Sequence, residues 1–181
     1  SVAPQFRALR EGDVVEIGGR RWQAFTVLGH APEHACLYCP DAGVLISGDQ
    51  VLPKITTNVS VWPDQPNGDP LRLYLDSLRR FRPLPEETLV LPSHGLPFRG
   101  LHLRLDYLRA HHDERLATTV DAIAEPRTAS ELVPVLFRRK LDNHQLGFAI
   151  GETLAHLHYL ETQGQARRAV DPAGVHRFRK A

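Results

Sequence analysis

Leu45-Ile46-Ser47-Gly48-Asp49 is a short apolar run that stops at a glycine and delivers a carboxylate at the turn. Two other stretches share that build: Val27-Leu28-Gly29-His30 upstream and Val90-Leu91-Pro92-Ser93-His94-Gly95 downstream. In each, a strand-like segment ends, the chain turns, and a His or Asp stands at the turn. A sheet holds such residues firmly while leaving them in a loop-lined cleft, which suits an ion that must meet both substrate and water. Imidazole and carboxylate together suit zinc, with manganese and iron as competitors. Singly each is ordinary, since a His beside Gly is usually a surface or capping residue and Ser-Gly-Asp is a common turn. Their order and common strand-end placement make His30, Asp49 and His94 candidate metal ligands.

Working outward, Gly18-Gly19 separates Asp13–Ile17 from Arg21–Leu28 and predicts a hairpin. Pro40-Asp41-Ala42-Gly43 joins Ala35–Cys39 to Val44–Ser47 as a second one. The segment Pro53 to Asp69 mixes Pro, Asn, Asp and Gly without a period, and a long irregular connection of that kind is usually a functional loop. Asp69-Pro70 then opens a helix with Leu71, Leu75, Leu78 and Phe81 on one face. A strand over Thr88–Leu91 follows, then a helix from Leu101 to Ala124. Thr128-Ala-Ser-Glu131 has the form of a capping box, and a further helix spans about Asn143 to Gln163, closed by Gly164. The tail reads as a hairpin over Ala166–Val170 and Val175–Arg179. Helix, helix, helix, hairpin is winged-helix order, so the expected parts are residues 1–115 and a small α+β unit at 116–181.

Lys and Arg number 22 against 21 Asp and Glu, for a formal net charge of +1, so the overall balance points to neither a nucleic-acid nor a membrane partner. The apolar runs fall well short of the roughly 20 residues that cross a bilayer. Two cysteines are too few for a disulfide framework, and the first residues lack a secretory apolar core, so a cytoplasmic setting is expected.

The three ligand-bearing stretches resemble the metallo-β-lactamase superfamily. Gly29-His30-Ala31-Pro32-Glu33-His34 is similar to its Gly-His-(Ser/Thr)-Pro-Gly-(Ser/His) element, Ile46-Ser47-Gly48-Asp49 to its Ser/Thr-Gly-Asp element, and Pro92-Ser93-His94-Gly95 to its Pro-Gly-His-Gly element. The resemblance implies an α/β fold, the C-terminal part of an αββα sandwich. It further implies that His30 binds one metal, that Asp49 bridges two and serves catalysis, and that His94 binds the second. Two ions about 3.5–4 Å apart would then present hydroxide at neutral pH, with no Ser or Cys nucleophile required. Phe148-Ala-Ile-Gly-Glu152 and Leu160-Glu-Thr-Gln-Gly164 resemble the winged-helix domain that follows this fold in proteins of the β-lactamase-like type.

That family also has a His-x-His-x-Asp-His motif supplying most of its ligands, placed well upstream of the first element. Only 29 residues precede His30 and none is His. The sole His-x-His, His156-Leu157-His158, sits in a helical stretch without the motif's Asp or final His. The expectation is a truncated, inactive C-terminal fragment that binds at most one metal weakly. Its open sheet would be covered by the missing N-terminal half or by a second copy in a homo-oligomer. As the full-length protein, the expected activity is hydrolysis of a small ester or thioester. An RNA-processing nuclease of the same fold comes second, and a metal-free binding or dimerisation module is the reading from another class.

Four residues are expected to line the substrate site: His34, Asn58, Trp62 and Arg99. Cys36 and Cys39 lie three apart in a strand, point to opposite faces, and read as core. His111-His112-Asp113 cannot chelate one ion from adjacent helical positions and reads as a solvated face. Arg138-Arg139-Lys140 and the basic hairpin could touch nucleic acid, although basic wings are also ordinary solvated surface.

Overall fold

The computed structural model describes residues 8–181. Five strands form one sheet in the order β1-β2-β3-β4-β5: β1 (Val14–Ile17), β2 (Arg20–Val27), β3 (His34–Cys39), β4 (Val44–Gly48) and β5 (Leu89–Pro92). The first three pairings are antiparallel, as short turns allow. The last is parallel and needs a crossover, which the 53–69 loop and α1 (Pro70–Arg79) supply.

Alternation along the strands gives the sheet two unlike faces. Phe25, Cys36, Tyr38, Leu45 and Val90 are buried beneath α1 and α2 (Leu101–Ala122), packed against Leu71, Tyr74, Leu75, Leu78, Leu101, Leu105 and Leu108. Ala24, Leu37, Ile46 and Leu91 are successive cross-strand partners and so share the other face, where Ile46 is 37% exposed. Cys36 and Cys39 are buried free thiols, one on each face. α1 begins as its sequence dictates: the Asp69 carboxylate accepts from the Arg72 amide at 3.1 Å and Pro70 takes the first turn. Tyr74 and Ser77 join its buried face along with the leucines.

α2 runs unbroken through residues 115 and 116, so the N-terminal part and the C-terminal elements share one helix. α3 (Ala129–Leu136) carries the Thr128/Glu131 capping box, and α4 (Asn143–Thr162) a second box from Asp142 and Gln145. β6 (Ala166–Val170) and β7 (His176–Lys180) form the closing hairpin, and Arg127 pairs with Phe178 beside it. Leu132, Leu136 and Leu157 are buried in this part and Leu154 is partly buried. No helix of the described residues is long and apolar enough to cross a membrane.

α4 is also a clamp on the irregular loop. The Val61 amide donates to the Gly151 carbonyl at 3.0 Å, a His158 ring N–H donates to the Gly68 carbonyl at 2.9 Å, and the Thr162 hydroxyl donates to Asp69 at 2.8 Å. Backbone that sequence leaves without a period is thereby given fixed partners.

Candidate metal centre

His30 follows the C-terminal end of β2, Asp49 that of β4 and His94 that of β5, while His34 opens the antiparallel β3. All four therefore emerge at one end of the sheet. A register irregularity between Ile46 and Gly48 lets β4 finish beside Pro92, and the Ser93 amide donates to the Gly48 carbonyl at 3.1 Å. Two glycines make the turns feasible. Gly29 has φ +103°, and a Cβ there would lie 2.4 Å from the Tyr74 Cβ, so only glycine lets α1 approach the end of β2 this closely. Gly48 has φ +53°, and a Cβ there would lie 2.3 Å from the His34 ring.

The Asp49 carboxylate is divided between two imidazoles. Its Oδ2 lies 3.5 Å from His30 Nε2 and its Oδ1 lies 3.4 Å from His94 Nε2. Around a tetrahedral ion with ligands at about 2.0–2.2 Å, neighbouring ligand atoms stand roughly 3.3 Å apart. Each His–Asp pair thus has the spacing of two ligands on one ion. No group of three or more His, Cys, Asp or Glu is placed to hold a metal ion among the described residues.

Outer contacts fix this arrangement. His30 Nδ1–H donates to the Asn58 carbonyl at 2.9 Å, which leaves the Nε2 lone pair facing Asp49. The Ser93 hydroxyl donates to Asp49 Oδ1, and this bond is the chief reason the carboxyl lies below its usual range. Burial opposes that shift, and the nearby His30, His94 and His34 add to it. The Thr57 hydroxyl donates to the Asp49 backbone carbonyl at 2.6 Å, holding the turn itself. His94 is the most open of the three, with its side chain 67% exposed.

The four residues expected to line a substrate divide. His34 Nε2–H faces the Ser47 carbonyl at 3.3 Å and its ring packs edge-on to His30, so it braces the site. Asn58 acts through its carbonyl on His30, while its side-chain oxygen accepts from the Ser60 hydroxyl at 2.9 Å. Trp62 and His30 line a common cavity of about 540 Å³, and Trp62 packs edge-on against Phe148. Phe148 of α4 therefore faces the loop. Arg99 corrects the expectation outright. Phe98 folds back to bridge Val90, and the Arg99 guanidinium donates to the Glu87 carbonyl, ahead of β5 and at the opposite end of that strand from His94.

His112 corrects another expectation. It is 1% exposed, packs edge-on against Tyr74, and shares a 3.2 Å contact between its Nδ1 and His156 Nε2. His156 Nδ1–H donates to the Glu152 carbonyl at 2.8 Å, so its Nε2 accepts the His112 proton and both rings are neutral. His111 alone stays half-buried. The helix lies between α1 and α4, so the side that a single-helix reading assigns to solvent is covered.

With this geometry in view, residues 2–94 match the Metallo-beta-lactamase superfamily, and residues 116–181 match the Metallo-beta-lactamase-like, C-terminal domain. The chain belongs to the metallo-β-lactamase superfamily. Members of this superfamily bind metals. A β-lactamase domain protein from Burkholderia ambifaria superimposes with a TM-score of 0.97 at 51% identity, over 100% of this chain and 54% of that one. A metallo-β-lactamase family protein from Thermus thermophilus gives 0.83 at 35% identity, over 96% of this chain and 54% of that one. Hydroxyacylglutathione hydrolase from Erythrobacter litoralis is 27% identical over 136 residues, 75% of this chain and 51% of that protein. The chain therefore spans about half the length of these superfamily relatives.

Proposed function

We propose that this chain contributes part of a dinuclear, zinc-type centre to a hydrolase acting on a small ester or thioester. The observation that carries the reading is the divided Asp49 carboxylate, 3.5 Å from His30 on one oxygen and 3.4 Å from His94 on the other. The relative named hydroxyacylglutathione hydrolase supports an acyl compound as the substrate class. Manganese or iron can take the same donors.

His30 and Asp49 would hold one ion, and His94 and Asp49 the other. When bound, the ions supply an acidified water and polarisation of the acyl oxygen. The chain's own contribution is positional. Asn58 keeps the His30 ring in its ligating tautomer, Ser93 keeps Asp49 ionised and aimed, and the 53–69 loop walls the cavity beside His30. Three side chains give each of two ions at most two protein ligands, against the three or four usual for zinc. The remaining ligands in this reading come from sequence outside residues 1–181, and the isolated chain holds at most one ion weakly.

Residues 116–181 we read as a winged-helix-like unit that shapes substrate access and contacts between copies. In the hairpin, Arg168 pairs with Glu161 at 3.4 Å and Arg177 with Asp171 at 2.9 Å. Arg167, Arg179 and Lys180 of the same hairpin form no ion pair among the described residues, so it is the hydroxyacylglutathione hydrolase relative, not the hairpin, that favours a small acyl substrate over RNA. Elemental analysis and a thioester assay, run on the full-length protein, on residues 1–181 and on full-length Asp49→Asn, test the proposal. Two metals and turnover in the full-length protein alone are expected. Two tightly held metals with full turnover from residues 1–181, or unchanged turnover in Asp49→Asn, would overturn it.

A further inference from the structure

A second cavity, of about 480 Å³, is lined in part by Asn58, the residue whose carbonyl holds His30. The 53–69 loop, α2, the α3–α4 connection and the first half of α4 all contribute to its wall. Its charged groups are Arg115, Arg139 and Glu152, and much of the rest is apolar, including Phe137 and Phe148. Asn58 is common to both places: its carbonyl orients His30, and it also lines this cavity.

The two arginines differ in how they are held. The Arg115 guanidinium donates to the Leu136 carbonyl and lies over the Phe137 ring at 5.0 Å, so it is pinned at the wall. Arg139 is exposed at the rim. Among the described residues neither forms an ion pair. Burial pushes the Glu152 carboxyl up to about 7, so it carries only about half a negative charge at neutrality and less below, and the two guanidiniums keep an excess of positive charge. An apolar pocket with two unmatched guanidiniums suits a carboxylate carried on a hydrocarbon chain, since Arg pairs planar carboxylates through two parallel hydrogen bonds.

We infer that the Arg115–Arg139 cavity, which shares Asn58 with the His30 contact, is the subsite for a carboxylate-bearing arm of the substrate. The inference rests on the acyl-hydrolase reading above. A carboxylate seated there fixes the acyl group at the metal ligands, so charge at a distance from the reacting atoms governs substrate choice. Arg139 is a binding residue of this subsite and Arg115 its fixed partner.

The test uses the full-length, metal-loaded protein and a series of acetyl thioesters of ω-mercaptocarboxylic acids of increasing length, each beside its neutral methyl ester. At one chain length the acid is expected to be preferred in kcat/KM by about tenfold or more, as a charge-assisted hydrogen bond implies. Arg139→Ala should abolish that preference of acid over methyl ester, and Arg139→Lys should restore part of it. Equal hydrolysis of acid and methyl ester throughout the series, or a preference that survives Arg139→Ala, would overturn the subsite. If no thioester is cleaved, the hydrolase reading fails, and calorimetric titration with hexanoate decides the subsite separately. Hexanoate affinity that falls about tenfold in Arg139→Ala supports it, and affinity indifferent to the substitution, or no binding at all, overturns it.

Discussion

The carbonyl oxygen of Asn58 accepts the Nδ1 proton of His30 at 2.9 Å, tying a candidate metal ligand to a loop that is itself held by α4. Ser60 and Val61 follow directly, and a Cβ on Gly151 of α4 would lie 2.8 Å from the Ser60 Cβ and 3.2 Å from the Val61 carbonyl. Alanine ordinarily stabilises a helix relative to glycine by about 1 kcal/mol. Here the helix can gain that only by pushing the loop away. Gly151→Ala is therefore expected to weaken metal binding by the full-length protein about tenfold or more, the size of effect seen when an outer partner of a ligand is disturbed. Competition with a chelator measures it, and unchanged affinity would show that the clamp does not reach the ligands.

Ser93→Ala tests the opposite wall. The Ser93 hydroxyl is the first cause of the lowered Asp49 carboxyl, with the imidazoles contributing after it. A carboxyl held low in the folded state adds stability that is present above its unfolded value and lost as pH falls through the folded one. Removing the hydroxyl brings the Asp49 carboxyl back up towards 3.8 in the metal-free protein, which carboxyl-carbon NMR reads directly. Metal affinity should fall about tenfold, because the carboxylate loses the contact that aims it. An Asp49 titration indifferent to the substitution would remove Ser93 from the site.

What sequence could reveal here was local. Each of His30, Asp49 and His94 stands within a few residues of the strand that positions it, so a short apolar run followed by a turn was enough to mark it. The three hairpins and the helices followed from turn residues, caps and apolar periodicity in the same way. The contacts that tune the site are not local. Ser93 meets Asp49 across 44 residues and Asn58 meets His30 across 28, through a loop with no periodicity to read. Arg99 was misplaced because the bridge between Phe98 and Val90 reverses the chain, which no residue preference announces. His112 was misread because a helix packed on two sides has no single apolar stripe, and only the position of α4 reveals its second buried side.

The buried His112–His156 pair makes the fold acid-sensitive. Burial and then the neighbouring His156, His111, Arg115 and Arg109 lower His112, and burial lowers His156 to about 4. The unfolded chain takes up these protons near 6.5, before the folded protein can. Stability is therefore complete above about 6.5 and declines as pH falls towards 4 and below. The thermal midpoint should drop across that range. The double variant His112→Leu/His156→Leu should show a shallower drop, and an equally steep one would place the acid sensitivity elsewhere.

Glu152 has the opposite sign. Burial raises its carboxyl from 4.5 to about 7, with Arg115 offsetting only part of the effect. The unfolded chain then releases the proton first, so this group costs no stability below about 4.5 and progressively more as pH rises towards 7. Glu152→Gln keeps the side chain's shape and removes the ionisation. It should leave the thermal midpoint nearly unchanged at pH 4 and raise it at pH 8, by an amount that grows between those values. The histidine pair pulls the other way over part of the same range, so the comparison must be made variant against parent at each pH. A midpoint difference that stays constant from pH 4 to 8 would mean that Glu152 titrates as an exposed carboxylate does, and that the Arg115–Arg139 cavity carries a full counter-charge at neutrality.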